Sequence, residues 1–424
     1  MIDIRLIRES PDEVRGALAR RGTDRGAELA EVRNLDERRR ALLQQVEKLK
    51  AERNRASEEV ARLKREKEDA ADLIARLKTV SDTIKELDQQ VRAVDSELEA
   101  QLLLLPNLPL PEVPEGDESA NQIVRTWGEK PQFDFAPRPH WEIGEELGIL
   151  DLRRGARISG SGFPLFMGKG AKLVRALVDF MIDVHTEEHG YTEVAPPYLV
   201  TRDSAQGTGQ IPDLEGNMYV TEDGLYLIPT AEVPVTNLHR DEILAADELP
   251  RGYVAYTPCF RREAGSHGKD TRGLMRVHQF DKVELVRFST PDSSPAEHEK
   301  LTGHAEVVLK RLGIPYRVVL LAAGDLGFSS AKTYDLEVWA AGVGAWLEAS
   351  SSSTFTDFQA RRSNMRFRPR PGSKPEFVHT LNASGVALPR TIISLLENNQ
   401  EKDGSVRIPE ALVPYLGTDR LTPP

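Results

Sequence analysis

The apolar positions of residues 28–105 recur every three or four residues, or every seven where one position is skipped, and the residues between them are mostly charged. A narrow apolar seam of this kind is typical of a coiled coil. A polar run at residues 65–70 interrupts the seam, which predicts two antiparallel helices joined at a polar tip. Because every other face is charged, we expect this arm to extend into solvent. The seam consists of Leu35, Leu42, Val46, Leu49, Ala56, Val60 and Leu63, then Leu73, Leu77, Val80, Ile84, Leu87, Val91, Val94 and Leu98.

Two roles for the arm remain open on this pattern. A spacer or dimerisation coiled coil is the commonest use of such a stretch, and a salt-bridged, solvated face has the same composition. A probe that binds a partner's phosphate backbone is the alternative, because basic residues are frequent on its first half. These residues are Arg38, Arg39, Arg40, Lys48, Lys50, Arg53, Arg55, Arg62, Lys64 and Arg65.

The segments on either side of the arm are short. In residues 1–27, Ile2, Ile4 and Leu6 predict a short strand or turn, and Ser10 followed by Pro11 predicts the start of a small helix. After the arm, four prolines between residues 106 and 114 end the helix, because proline cannot continue it. We therefore predict an N-terminal domain at residues 1–105, a stiff linker at 106–116 and a second domain at 117–424.

Residues 117–424 mix strand and helix patterns. An amphipathic helix is predicted at 173–189, and an extended segment broken by Pro196 and Pro197 follows it. Several later strands are joined by tight turns, a hairpin turn is predicted at Asp223-Gly224, and a last helix is predicted at 391–399. Few strand–helix alternations occur, so we predict an α+β domain with a largely antiparallel sheet.

Charge and cysteine content narrow the function. The 424-residue chain has 56 basic and 67 acidic residues, a net charge of −11, so a nucleic-acid partner must meet local basic surface. The single cysteine, Cys259, excludes an intramolecular disulfide and a multi-cysteine zinc site, and its apolar neighbours predict a buried filler. No apolar run approaches the ~20 residues of a membrane helix, and the start has no signal core, so a cytoplasmic protein is expected.

The candidate chemistry is concentrated at residues 257–284. A predicted strand ends in Arg261-Arg262-Glu263, and a Gly-rich, charged loop at 265–273 leads into a second strand. The planar guanidinium groups of arginine pair well with phosphate oxygens, so this platform is suited to a triphosphate. The loop carries His267, Lys269 and Arg272, and we expect it to be mobile and to order on a nucleotide or contact a nucleic-acid end. Neither of two common nucleotide-binding patterns, the P-loop and the dinucleotide glycine fingerprint, is present.

Three segments resemble the signature motifs of class II aminoacyl-tRNA synthetases. The helix at 173–189 with the strand ending at Pro196-Pro197 is similar to motif 1, Phe260-Arg261-Arg262-Glu263 with its loop to motif 2, and residues 382–390 to motif 3. Together with the arm and Thr230-Ala231-Glu232, the order and spacing resemble bacterial-type seryl-tRNA synthetases over essentially the whole chain. Ala383 departs from the glycine frequent there, and Leu388-Pro389 precede the motif 3 arginine, but neither change removes a ligand.

The resemblance implies an activity. The expected enzyme activates serine with ATP to seryl-adenylate and transfers it to tRNA(Ser), and also to tRNA(Sec), with the arm as the tRNA-binding domain. A homodimer built through motif 1 is expected, with magnesium bound alongside ATP. The archaeal-type enzyme with a zinc-bound pocket is disfavoured, since one cysteine cannot supply its ligands.

The resemblance also assigns residues. Arg261 and Arg390 are expected to be catalytic, Arg261 between the serine carboxylate and the α-phosphate and Arg390 at the γ-phosphate. Phe280 is expected to stack on adenine, and Glu348 and Ser351 to bind magnesium. The serine-binding set is Thr230, Ala231, Glu232, Arg261, Glu284 and Ser384, and the ATP-binding set is Arg261, Arg262, Glu263, Val277, Phe280, Glu348, Ala349, Ser350, Ser351 and Arg390.

Each residue also has a plainer interpretation. An isolated arginine is usually a surface ion-pair partner, an isolated strand glutamate is usually solvated, and an inward Phe280 is usually core. For the whole chain, a ligase that loads amino acids onto carrier proteins is disfavoured because such relatives lack the long hairpin. A coiled-coil interaction protein with a degenerate ligase-like domain is disfavoured because Arg261, Glu348 and Arg390 are all present.

Overall fold

The computed structural model describes residues 1–264 and 272–424, which form two compact units. The first unit comprises Met1–Ala19 and Thr23–Pro106, and the second comprises Arg20–Gly22 and Asn107–Pro424. The loop predicted to be mobile lies outside the described residues except for its last two members, Arg272 and Gly273. In the described part of the chain no helix has the length and apolar character needed to cross a membrane.

The first unit is helical throughout: α1 Ile4–Glu9, α2 Pro11–Ala19, α3 Gly26–Glu66 and α4 Ala71–Leu103. The prediction of a strand or turn at Ile2, Ile4 and Leu6 is therefore wrong. The Asp3 side chain accepts a hydrogen bond from the Arg5 N–H at 2.8 Å, which caps the first turn of α1 and favours a helix over an unpaired strand. The helix predicted from Pro11 is present as α2.

Helices α3 and α4 form the antiparallel hairpin that the apolar repeat predicts. Ion pairs cross between the two helices in opposite sequence order: Arg39 pairs with Asp95, Lys50 with Asp88 at 3.3 Å, and Glu52 with Arg76 at 2.5 Å. The turn is shorter than the polar run, because α3 continues to Glu66 and Lys67 then adopts a left-handed conformation, φ 59°. The long helical arm is confirmed.

The second unit contains nine α-helices among the described residues, and a π-helical turn, Val184–Glu188, extends α7. Five single 3₁₀ turns, Glu118–Ala120, Glu215–Asn217, Asn237–His239, Ala246–Glu248 and Glu410–Leu412, connect other elements. The helix expected to be the last in the chain is α12, and one further short helix follows it. The helices are α5 His140–Glu146, α6 Leu152–Ser159, α7 Lys169–Asp183, α8 Arg202–Gly207, α9 Glu232–Thr236, α10 Ser294–Arg311, α11 Phe358–Ser363, α12 Leu388–Asn398 and α13 Val413–Leu416.

Fifteen strands are found in the described part of this unit, several of them only two residues long. They are β1 Gln122–Trp127, β2 Thr192–Glu193, β3 Leu199–Val200, β4 Tyr226–Leu227, β5 Ile243–Ala245, β6 Arg251–Phe260, β7 Gln279–Ser289, β8 Tyr316–Leu320, β9 Lys332–Ala340, β10 Ala345–Thr356, β11 Arg366–Arg368, β12 Glu376–Phe377, β13 His379–Ala387, β14 Val406–Arg407 and β15 Arg420–Leu421.

Eight strands form one sheet in the order β1-β8-β9-β10-β13-β7-β6-β2. Every neighbouring pair is antiparallel except β2 with β6. The register places Ser384 of β13 directly opposite Glu284 of β7, and a bulge in β13 follows at once. Because strands far apart in sequence are neighbours here, side chains of 251–260, 279–289, 345–356 and 379–387 share one surface. The predicted α+β fold with an antiparallel sheet is confirmed.

Helices α7, α10 and α12 contribute to the main apolar core against this sheet. Leu177 of α7, Leu301 of α10 and Ile393 of α12 belong to the same buried cluster as Leu285 of β7. Cys259 of β6 is fully buried, in agreement with its predicted role as a filler. This close packing makes the sheet a rigid support for the polar side chains that its strands also carry.

Candidate active site

A cleft of about 610 Å³ in the second unit is lined by side chains from β7, β10, β13 and the start of α12, with Arg261 just after β6. Most of the residues that the sequence assigns to serine, ATP or magnesium lie on its walls. They are Thr230, Glu232, Arg261, Glu263, Val277, Phe280, Glu284, Glu348, Ala349, Ser351, Ser384 and Arg390.

Three assigned residues do not line the cleft. Ala231 is fully buried in an apolar cluster with Phe288. Ser350 is buried, and its hydroxyl donates to the Ser384 carbonyl at 2.6 Å. Arg262 is exposed, and its N–H donates to the Asn217 carbonyl at 2.9 Å. In this structure the side chains of these three residues therefore do not face the cleft.

Arg261 is held at the mouth of the β6–β7 hairpin. Its N–H donates to the His278 carbonyl at 2.9 Å, which joins the end of β6 to the approach of β7. Its guanidinium donates through Nε to the Pro229 carbonyl at 3.3 Å and lies 5.1 Å from the centre of the Phe280 ring. The guanidinium therefore lies over the Phe280 ring in a cation–π contact on the cleft wall.

Arg390 lies in the first turn of α12 and reaches back to β10. Its Nη1 donates to the Glu348 carbonyl at 2.6 Å and lies 3.3 Å from Glu348 Oε2. Pro389 also lies in this first turn, where its missing N–H costs nothing. The N-terminus of an 11-residue helix adds partial positive charge near the same guanidinium.

Two buried carboxylates, those of Glu232 and Glu284, also belong to the cleft, and both accept hydrogen bonds from the side-chain amide of Asn382. Asn382 Nδ2 donates to Glu232 Oε2 at 3.0 Å and to Glu284 Oε1 at 2.8 Å. Glu232 is 5% exposed and Glu284 is 1% exposed. Burial, followed by the nearby Glu284 charge, raises the pKa of Glu232 to about 7.

Four cleft or supporting residues were not predicted from the sequence. Lys282 pairs with Glu284 at 2.6 Å, and Asn382 bridges the carboxylates as described. Gln359 Nε2 donates to Glu232 Oε1 at 2.6 Å from α11. Arg276 Nε donates to Glu263 Oε2 at 2.6 Å.

A strand period of two could have found some of these residues. Lys282 stands two positions from both Phe280 and Glu284 on β7, so all three point to one face, and Asn382 has the same relation to Ser384 on β13. Gln359 has no such signal, because a separate helix brings it to the site.

The residues assigned to magnesium have one further acidic neighbour. Asp335 lies opposite Ser351 in the β9–β10 pair, close to Glu348. Burial, and then the Glu348 charge, raise the pKa of Asp335 well above its usual range, while a hydrogen bond from Ser351 opposes this. Among the described residues, Asp335 Oδ1 has no hydrogen-bond partner, and no cluster of three or more His, Cys, Asp or Glu side chains suited to a metal is found.

Known proteins match this chain along its whole length. Residues 219–399 match the family model of the tRNA synthetase class II core domain (G, H, P, S and T), and residues 1–109 match that of the seryl-tRNA synthetase N-terminal domain. A serine--tRNA ligase of Gemmatimonas aurantiaca is 57% identical over 420 residues, 98% of this chain and 99% of the relative. One of Geobacter sulfurreducens is 55% identical over 419 residues, with 98% and 99% coverage.

Solved structures agree with these matches. The crystal structure of seryl-tRNA synthetase from Pyrococcus horikoshii complexed with ATP has a TM-score of 0.94 and 40% identity, and all of both chains is covered. The fold and the cleft therefore define a class II aminoacyl-tRNA synthetase. Within that class, the chain belongs to the seryl-tRNA synthetase family. The family and the serine–tRNA ligase activity predicted from the sequence are confirmed.

Proposed function

We propose that the cleft binds serine between Glu232, Glu284 and Arg261, binds ATP along Phe280, Arg261 and Arg390, and joins the two. The observation that carries this proposal is that a buried carboxylate pair and two arginines from distant segments line one cleft. The resemblance to seryl-tRNA synthetases supports each assignment. The cleft belongs wholly to the second unit.

In the first step an oxygen of the serine carboxylate attacks the α-phosphorus of ATP. A phosphorus–oxygen bond forms, the bond to the bridging oxygen breaks, and pyrophosphate leaves with the electron pair. Two anions must approach each other, so fixed positive charge and positioning supply most of the catalysis. Arg261 neutralises the carboxylate and the α-phosphate, and Arg390 holds the γ-phosphate of a bent ATP beside the N-terminus of α12.

In the second step a hydroxyl of the terminal adenosine of tRNA attacks the seryl carbonyl, and AMP leaves. The tRNA is tRNA(Ser), and we extend the proposal to tRNA(Sec). Residues 1–105 act as the tRNA-binding domain through the arm, residues 106–116 link it, and residues 117–424 carry the catalysis. The match of residues 1–109 to the seryl-tRNA synthetase N-terminal domain supports this division.

Serine is selected through its polar groups. Glu232 and Glu284 accept hydrogen bonds from its ammonium and hydroxyl, with Thr230 and Ser384 beside them. A site that pairs with a hydroxyl rejects alanine, because its buried polar groups are then left unpaired. Threonine is rejected where no space remains for its methyl group.

The adenine base is placed by the aromatic ring of Phe280, which stacks on it, and by Glu263 and the backbone at Val277, which read its edge. Glu263 adopts a left-handed conformation, φ 47°, and pairs with Arg276. A residue held in this region of backbone space at a cleft wall supports a positioning role.

Magnesium fits the side chains of Glu348 and Ser351. Both line the cleft and offer hard oxygen ligands, and Asp335, opposite Ser351 in the β9–β10 pair, is an acidic neighbour. When bound with ATP, the ion supplies charge neutralisation between phosphates. The ion pair of Glu348 with Arg390 keeps both side chains oriented on the same wall.

Two further properties belong to the proposal. A homodimer forms through α7, its π-helical turn and β2, the segment that resembles motif 1. The enzyme acts in the cytoplasm, where its tRNA and ATP substrates are.

The test is serine-dependent exchange between ATP and pyrophosphate, followed by serylation of tRNA. Arg261→Ala, Glu284→Gln and Arg390→Ala should each reduce exchange by about a hundredfold or more, while the far-UV spectrum stays that of the parent. Serylation of tRNA(Ser) and tRNA(Sec) transcripts separates the two acceptors, and sedimentation gives the oligomeric state. Near-normal exchange in Glu284→Gln overturns the serine site.

A further inference from the structure

Lys282 is the buried ammonium of the cleft, and its surroundings differ from those of an ordinary surface lysine. It lies on β7 between Phe280 and Glu284, and its side chain is 7% exposed. Its Nζ is 2.6 Å from Glu284 Oε2 and 2.7 Å from Thr230 Oγ1. An ion pair of this kind can serve the stability of the fold alone. The directions of the hydrogen bonds around Lys282 show whether it also acts on a ligand.

The direction of the bond to Thr230 is determined by chemistry. An ammonium group has three donors and no acceptor, so Thr230 Oγ1 must accept from Lys282. The Glu232 N–H donates to the same oxygen at 3.3 Å. Both acceptor positions of the hydroxyl are thus used, and its hydrogen is the part left to act on a ligand. Thr230 can then donate to a ligand oxygen but has no lone pair for a ligand ammonium.

Lys282 also determines the charge of the carboxylate pair. Asn382 Nδ2 donates to both Glu232 and Glu284, so two buried acids share one amide. Like charges in a buried site favour uptake of a proton by one of them. The ammonium of Lys282 lies on the Glu284 oxygen that Asn382 does not contact, and it offsets one of the two negative charges. Burial and then the Glu284 charge raise the pKa of Glu232, and the Lys282 charge opposes them. An ionised Glu232 accepts strongly from a ligand ammonium, and a protonated one does not.

We propose that Lys282 is a positioning residue for serine: it turns the Thr230 hydroxyl into a donor towards an oxygen of the amino acid, and its charge offsets one of the two carboxylate charges that meet the ammonium group. This inference rests on the proposed serine site. It assigns the two polar ends of the ligand to different partners, oxygen to Thr230 and nitrogen to the carboxylates.

The experiment measures serine-dependent ATP–pyrophosphate exchange for Lys282→Met, Lys282→Gln and Lys282→Arg from about pH 6 to about pH 8, a range in which buried carboxylates titrate. In Lys282→Met the KM for serine should rise roughly tenfold or more near neutral pH, the size expected when a charged hydrogen bond is lost. Burial raises the pKa of Glu232, and the Lys282 charge opposes this. The ratio of variant to parent KM should therefore fall as pH rises, because Glu232 without Lys282 ionises only at higher pH. Because serine ionises equally in both assays, its own ionisation cancels in this ratio.

The other variants separate charge from hydrogen bonding. Lys282→Arg keeps the charge and should keep the parental pH profile. Lys282→Gln keeps a donor and removes the charge, so its KM ratio should still depend on pH, and it serves in place of Lys282→Met if that variant does not fold. The KM for ATP should stay within about twofold in each, because no phosphate-binding group is touched.

Lys332→Met is the matched control. Lys332 is also a largely buried strand lysine with two acidic neighbours, Glu112 at 3.5 Å and Glu299 at 3.7 Å, but it does not line the cleft. The Lys332→Met substitution should lower thermal stability and leave the KM for serine unchanged. A purely structural role of Lys282 predicts the same result for both lysines.

A folded Lys282→Met or Lys282→Gln enzyme with a pH-independent KM ratio near one overturns the role of Lys282. The proposed site fails differently, through Glu284→Gln retaining serine-dependent exchange. A double variant with Thr230→Val adds a second readout. If Lys282 acts through Thr230, removing both groups should cost less than the product of the two single effects.

Discussion

Glu232 and Glu284 lie on different elements, α9 and β7, and are joined through a single amide group, that of Asn382, at 3.0 and 2.8 Å. Burial and then the neighbouring Glu284 charge raise the pKa of Glu232. The pair therefore links the protonation state of the cleft to its capacity to bind an ammonium group.

The activation step should depend on pH through Glu232. Burial raises the pKa of Glu232 to about 7, so the carboxylate is only partly ionised near neutral pH and becomes fully ionised above it. Since the ionised form accepts from the serine ammonium, kcat/KM for serine in pyrophosphate exchange should rise with pH through an inflection near 7. At saturating serine and varied ATP the inflection should be weaker.

The same pKa shift has a consequence for stability. A carboxyl whose folded pKa lies above its unfolded pKa binds protons more readily when folded, so its contribution favours folding below the unfolded pKa of about 4.5 and is lost as pH rises towards 7.

For the kinetic prediction, a kcat/KM profile with no inflection between about pH 6 and about pH 8 contradicts the assignment of Glu232 to the ammonium.

Arg261→Ala should reduce adenylate formation by about a hundredfold or more, because one fixed group that stabilises developing charge is commonly worth that much. Its contacts with the Pro229 carbonyl and the Phe280 ring are peripheral to the core, so the fold should persist. Pyrophosphate exchange measures the loss of activity, and thermal unfolding shows whether the fold persists. Arg407→Ala, which removes an exposed arginine paired with Glu401 outside the cleft, should leave exchange unchanged.

Deletion of residues 28–105 should separate the two steps of the reaction. The cleft residues all lie at 209 and beyond, within the second unit, so serine-dependent exchange should be retained. Serylation of tRNA should fall to background, because the proposed function assigns tRNA binding to the arm. Full-length enzyme at raised salt should show the same selective loss of serylation. Retained serylation without the arm contradicts its role.

Acid should destabilise the second unit through a histidine cluster behind the sheet. His185 Nδ1 lies 3.0 Å from His189 Nδ1, His189 stacks on His304 at 3.9 Å, and Tyr191 is hydrogen-bonded to His304 at 2.9 Å. Burial, and then the neighbouring histidines, lower the pKa of His185 to about 3. The unfolded chain therefore takes up protons first as pH falls below about 6.5, so stability decreases.

His185 alone should account for roughly 2 kcal/mol of unfolding free energy between about pH 6.5 and about pH 5, at about 1.36 kcal/mol per pH unit. Urea unfolding of the parent and of His185→Gln at both pH values checks this. The variant should lose less stability on acidification than the parent, and an equal loss in both would show that His185 titrates normally.

The sequence by itself determined the elements and the family. The apolar repeat of residues 28–105 defined the arm, since a coiled-coil seam is a local pattern that needs no tertiary information. The motifs around Arg261, Ser384 and Arg390 pointed to one class of enzyme and to most of the cleft wall. The strand expected at Ile2–Leu6 failed because a local cap at Asp3 competes with a weak apolar alternation.

Only the tertiary structure decided how the polar groups are connected. Asn382 bridges Glu232 and Glu284, Gln359 supports Glu232, and Lys282 forms an ion pair with Glu284 and donates to Thr230. Strand register and helix packing bring these distant segments to within 3 Å. A sequence records which groups can donate or accept, but the distances that select their partners arise only when the sheet has formed.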